Sequence, residues 1–258
     1  MNISENSFCF CTLALGERYR FMVKELANDL KQYSSGTKLI VGTEKPNDFD
    51  SEPNIIAFKL HQQGVLHCYN DKRFVLQKAL LNFKTAIYID ADTRIVETIP
   101  NDLVFPAGLV GCHKNMLEHI SKYRLQDLEK LKQMSLKLNI QFEKAQWIGE
   151  SLFILTKDAG KEQDFLKIWS KLATYSELRG MYSGEGSIMG LAAAKVGWQI
   201  NKSESWDSLK QISQHLDASR QRSKQAFWNY FQSKLAYHYR LNKMRFFALK
   251  DFSFYYLQ

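Results

Sequence analysis

No stretch of the 258-residue chain approaches the roughly 18 consecutive apolar residues of a membrane span. The start lacks the positive flank of a signal peptide, because Glu5 precedes the apolar segment 8–15. The expectation is a cytoplasmic protein. Four cysteines are too few for a disulfide framework in a chain this long, and no Cys-x-x-Cys pair suggests zinc. Cys9 and Cys11 flank Phe10 in an apparent strand and read as core thiols. Net positive charge is scarce outside the tail. Residues 219–258 carry eight Lys or Arg against one acid, Asp251, so seven of the eight net positive charges sit there. That distribution argues against a wholly basic nucleic-acid binder and for a local anionic partner. With 45% hydrophobic side chains, the chain can bury one large core.

The informative stretch is 84–100, KTAIYIDADTRIVETIP. Residues 86–89 are a short apolar run of β-formers, as in a buried strand of an α/β sheet. Asp90-Ala91-Asp92 follows directly. Residues two apart in extended chain project to one side, so both carboxylates converge just beyond the strand, where open α/β sheets bind ligands. Two clustered anions repel unless a cation lies between them. A hard divalent ion, completed by a substrate diphosphate, resolves the conflict. Ala91 is small enough to let a bulky ligand approach. The competing reading is a solvated acidic loop.

Around this stretch the chain alternates. A strand at 8–15 ends at Gly16, and Tyr19, Met22, Val23, Leu26, Leu30 and Tyr33 recur at helical spacing. Short strands are expected at 39–41 and 55–58, then a helix over 71–82. Arg73, near the start of that helix, either reaches a phosphate or is a solvated helical arginine. A strand at 109–112 leads into one long helical stretch, 115–139, with Leu125, Leu128, Leu131, Met134 and Leu138 in a stripe. Its surroundings, 113–146, read as a helical insertion suited to a lid or to acceptor binding. A strand at 151–155, a helix at 161–175 and a strand at 198–200 follow.

Residues 180–197, GMYSGEGSIMGLAAAKVG, open an alanine-rich helix from a glycine-rich turn, with Glu185 at the opening. A carboxylate there suits the helix dipole, and it also suits a cleft approached by backbone on both sides. The tail mixes its cations with a dense set of Phe, Tyr and Trp. Snorkelling side chains on a packed helix explain this, as does attachment to an anionic membrane or a clamp on a diphosphate.

Taken together, these residues resemble a glycosyltransferase of the GT-A fold, closest to the retaining families 6 and 8, over residues 8–207. Arg73, its helix and AIYIDAD are similar to the family's arginine-bearing helix, strand and D-x-D. GESLFIL at 149–155 resembles the strand bordering the acceptor site, SGEG at 183–186 the opening of the catalytic-glutamate helix, and ESWD at 204–207 the terminal Trp-Asp. The resemblance implies an α/β fold with a single mixed central sheet flanked by helices. Residues 1–218 would be the catalytic domain and 219–258 a helical extension. It implies a UDP-sugar donor, with Thr12, Leu13 and Tyr19 around the base, Arg73 on the nucleotide, Ala91 at the turn, and Asp90 and Asp92 holding Mn²⁺ or Mg²⁺. Glu185 would be catalytic, and Gly149, Glu150, Trp206 and Asp207 would meet a saccharide or glycolipid-like acceptor. The family 8 signature His-x-x-Gly-x-x-Lys-Pro-Trp is absent, which leaves His215 and His238 as candidates for a third metal ligand. A nucleotidyltransferase, or a basic membrane- or nucleic-acid-binding protein, are the alternatives, although no nucleic acid is expected.

Overall fold

The computed structural model describes residues 7–218 and 227–257. Its centre is a six-stranded mixed sheet in the order β3-β2-β1-β4-β7-β6. Strands β1 (Phe8–Leu13), β2 (Leu39–Thr43), β3 (Ile55–Lys59) and β4 (Thr85–Ile89) run parallel. β7 (Gln146–Thr156) lies antiparallel between β4 and β6 (Gly108–Asn115). A small second ladder pairs β5 (Thr93–Ile95) with β8 (Ser213–His215).

Both sheet faces are covered, which explains why the central strands are apolar without interruption. The side-chain alternation divides the interior in two. Cys9, Cys11, Ala86, Tyr88, Phe153 and Leu155 point to one face, packed by α2 (Lys72–Asn82), α4 (Leu128–Leu138), α5 (Lys161–Leu178) and α6 (Glu185–Lys195). Phe10, Ile87, Ile89, Leu152 and Ile154 point to the other, under α1 (Glu17–Tyr33) and α7 (Glu204–Gln211). Fully burying a residue such as Ile87 contributes about 1.5–3 kcal/mol.

Three local expectations differ from the structure. The stretch 115–139 is not one helix: α3 (Met116–Tyr123) ends at Arg124, a 3₁₀ turn Leu125–Asp127 follows, and α4 resumes. The break is stabilised because the Arg124 guanidinium folds onto the Asp127 carboxylate at 2.6 and 2.8 Å. Residues 198–200 form no named strand; a single parallel bridge joins Val110 and Asn201. The glycines of α6 serve packing. A Cβ on Gly190 would lie 1.8 Å from the Gln146 carbonyl oxygen and one on Gly186 2.2 Å from that of Ile148, so the helix backbone rides directly on β7.

The C-terminal helices α8 (Phe227–Ala248) and α9 (Phe252–Tyr256) pack against the α5 side. Tyr237 and Tyr182 share a hydroxyl hydrogen bond of 2.9 Å, Arg240 donates twice to the Val65 carbonyl, and Lys171 pairs with Asp251 at 2.6 Å. Arg220, Arg222 and Lys224, part of the basic tail, lie outside the described residues. Among the described residues no helix is long and apolar enough to cross a membrane.

Candidate active site

The cleft opens at the C-terminal edge of β4, where the parallel half of the sheet meets its antiparallel half. Its cavity is about 480 Å³. Leu13, Tyr19 and Tyr69 line one side, Asp90, Ala91, Asp92 and His215 the base, and Glu150, Gly184, Glu185 and Arg124 the far side.

The acidic corner is assembled by backbone pairing. The Asp90 N–H donates to the Ser151 carbonyl and the Asp90 carbonyl accepts from Thr93 N–H, forming the turn that ends β4. The β5–β8 ladder sets Thr93 opposite His215. Asp92 is clamped to the same segment: its carbonyl accepts from Leu216 N–H at 2.8 Å and its Oδ2 from Ala218 N–H at 2.8 Å. The His215 Nδ1 therefore stands 3.5 Å from Asp92 Oδ1, while its Nε2 reaches Asp217 at 3.3 Å. Asp90, Asp92 and His215 each offer a ligand atom, and the three lie within 4.8 Å of one another. Two oxygens and one imidazole nitrogen form a donor set suited to a divalent ion.

Across the cleft lies a second acidic pair. Glu185 opens α6 behind Gly184, whose φ of 89° is a conformation that favours glycine. Its carboxylate is 3% exposed. Glu150 comes from β7 beside the register shift between Gly111 and His113, an irregularity of the kind that re-aims side chains at sites. Its Oε1 accepts Gly186 N–H at 2.8 Å. Burial first, and then the charge of Glu185, push the Glu150 carboxyl up to about 8, and the protonated acid hydrogen-bonds Glu185.

Lys72 joins the two clusters. Its buried ammonium lies 3.2 Å from Asp90 Oδ1 and 3.1 Å from Glu185 Oε1, donates to the Glu150 carbonyl at 2.9 Å, and sits 4.9 Å from the Tyr88 ring centroid. Burial opposes its charge, but the carboxylates of Asp90 and Glu185 outweigh it and hold its pKa well above the lysine norm. The Tyr88 hydroxyl donates to Asp90 at 3.1 Å.

Several expected residues do not border the cleft. Arg73 turns away from it, its guanidinium 3.5 Å from Asp71 and held by the Asn70 carbonyl; Lys72 is the cation that faces in. The sequence carries a signal for this, because Lys72, Val75, Leu76 and Ala79 share the buried stripe of α2. Thr12 is fully buried within β1, short of the cleft. Gly149 packs on Cys112. Trp206 is core, its indole N–H donating to the Leu152 carbonyl, and Asp207 lies on the exposed side of α7. His238 sits on α8 against Tyr237, remote from the acidic corner. Arg124 is a cleft residue that spacing did not disclose, and it donates to Ser183 at 2.9 Å.

Fold and site define an α/β protein with a cation-ready acidic corner at the end of its central strand. No family model matches the chain, and no curated protein matches it by sequence. It is similar to the apo structure of WbbM, described as a bifunctional glycosyltransferase, with a TM-score of 0.48 and 12% identity over 79% of this chain. The match spans 40% of that protein's length. A likeness of that size does not bear on activity.

Proposed function

We propose that the chain is a metal-dependent glycosyltransferase of the GT-A type. It would move a sugar from a UDP-sugar to a saccharide or glycolipid-like acceptor with retention at the anomeric carbon, using residues 1–218 as the catalytic unit. The observation that carries this reading is the convergence of Asp90, Asp92 and His215 at the strand end, facing a buried Glu185 across a cleft. The mixed oxygen and nitrogen donors favour Mn²⁺ over Mg²⁺, which prefers oxygen alone. When bound, the ion would neutralise charge growing on the departing diphosphate.

The chain's own groups supply the rest. Leu13 and Tyr19 form the wall on which a base would lie. Arg124, paired with Asp127 at the opposite rim, would present guanidinium N–H groups to the leaving group. Glu185 faces the sugar as nucleophile or as electrostatic support for an oxocarbenium-like centre. Lys72 orients Glu185 through their 3.1 Å ion pair, while protonated Glu150 braces it without adding a charge. The exposed Tyr239, Phe246 and Phe247, with Lys243 and Arg245 on the same tail, support peripheral contact with an anionic membrane.

Calorimetric titration with UDP, with and without Mn²⁺, tests the reading. UDP affinity that rises with Mn²⁺ and is lost in Asp90→Asn/Asp92→Asn is expected. Metal-independent affinity, or affinity untouched by the double variant, would overturn it. Release of UDP from UDP-glucose, UDP-galactose and their N-acetyl forms would then identify the donor.

A further inference from the structure

Arg73 is the sequence-motif cation that the cleft leaves unused. While Lys72 turns into the core, Arg73 and Phe74 face α5 and border two cavities, of about 780 and 300 Å³, that share Arg73, Phe74, Thr174 and Tyr255. The larger is rimmed by Lys157, Lys167 and Lys171 and floored by Leu80, Leu81 and Leu166. Positive charge exceeds what the protein itself neutralises. Lys171 is paired with Asp251, but Lys157 and Lys167 form no salt bridge among the described residues. The acid on this wall, Glu162, is already committed to the backbone N–H groups of Asp158 and Gly160. Arg73 itself is 11% exposed, and its buried Nε has no hydrogen-bond partner among the described residues. A buried guanidinium nitrogen left unpaired is costly unless a ligand completes it.

We propose that this groove is a second binding site, separate from the catalytic cleft, for a phosphomonoester. A phosphomonoester carries close to two negative charges at pH 7 and three acceptor oxygens, matching two uncommitted ammonium groups beside a guanidinium that Asp71 and the Asn70 carbonyl hold only through Nη1. The apolar floor accommodates the body that bears the phosphate. That phosphate can be a lipid headgroup or part of a free sugar phosphate, and the two are separable in solution.

The full chain would be titrated calorimetrically with dihexanoyl phosphatidic acid, with glucose 6-phosphate, and with dihexanoyl phosphatidylcholine as the zwitterionic control. Saturable binding of a phosphomonoester is expected, weakened about tenfold or more in Lys157→Ala/Lys167→Ala, with Mn²⁺-dependent UDP affinity unchanged. Preference for phosphatidic acid assigns a lipid headgroup; equal or tighter binding of glucose 6-phosphate assigns a free sugar phosphate. Arg73→Gln should abolish binding, and the surface lysine pair keeps the test decisive if that variant fails to fold. Failure of both phosphomonoesters to saturate, equal binding of phosphatidylcholine, or insensitivity to the lysine pair would overturn the proposal. Loss of UDP binding alone would leave this site standing and remove only the catalytic reading.

Discussion

Two acidic pairs face each other across one cleft, and they are set in different surroundings. Asp90 and Asp92 sit on a turn between strands; Asp90 keeps a quarter of its side-chain surface open, and His215 adds a third donor. Glu150 and Glu185 are set against the helix-on-strand contact of α6 and β7, where their mutual repulsion is relieved by a retained proton and by Lys72. The first pair is arranged to take an outside cation, the second to do without one. The ionisable group is a carboxyl on both sides; solvent access and the neighbouring charges decide the chemistry.

The comparison breaks most sharply at Glu185. If it acts on the sugar, Glu185→Gln lowers transfer by about two to three orders of magnitude while Mn²⁺-dependent UDP binding stays near wild type; steady-state kinetics beside calorimetry would show this, and unchanged turnover would remove Glu185 from the mechanism. Lys72 is next. Lys72→Met leaves Asp90 and Glu185 without their shared buried cation and should destabilise the fold by about 3–5 kcal/mol in urea melts. Added Mn²⁺ should restore part of that loss through the corner alone; no recovery would mean that the corner does not bind Mn²⁺ in this variant.

His215→Ala sharpens the open side. Mn²⁺ affinity, read by electron paramagnetic resonance, should fall about tenfold, with thermal stability nearly unchanged because the ring is partly exposed. An unaltered affinity would reduce the corner to its two carboxylates. The smallest effect belongs to Glu150→Gln and appears as a pH slope. The native carboxyl is raised to about 8 from an ordinary value of 4.5, so the folded state holds a proton that the unfolded state has released. That contribution to stability is full at low pH, declines as pH rises through 4.5 to 8, and is flat above. The amide, which mimics the protonated acid, should flatten the decline in melts from pH 5 to 9. A slope unchanged by the substitution would mean that Glu150 is ionised in the native state.

Legibility from the sequence followed the range of the forces involved. Strand β4, helix α2 and the Asp90-Ala91-Asp92 turn were readable because periodicity and a strand end are local features. The interruption at Arg124 was not, because the side chain ends the helix by closing on Asp127 and Ser183, the latter contributed by a distant segment. Arg73 and Lys72 are adjacent, and the spacing of apolar residues marks Lys72 as the inward one; the expectation of Arg73 on a nucleotide weighted residue type above helical face. Trp206 and Asp207 matched a motif by order along the chain, but Trp206 spends its indole N–H on Leu152 inside the core.

The chain's alternation of apolar runs by itself determined an α/β sheet with carboxylates at the end of a central strand, because side-chain period and strand termination are written within a few residues. Only the tertiary structure decided that His215 would stand beside Asp92, that Lys72 would bridge Asp90 to Glu185, and that Arg73 would look into a separate groove. Those outcomes depend on ladder register and helix rotation, which are set by packing among segments far apart in the chain.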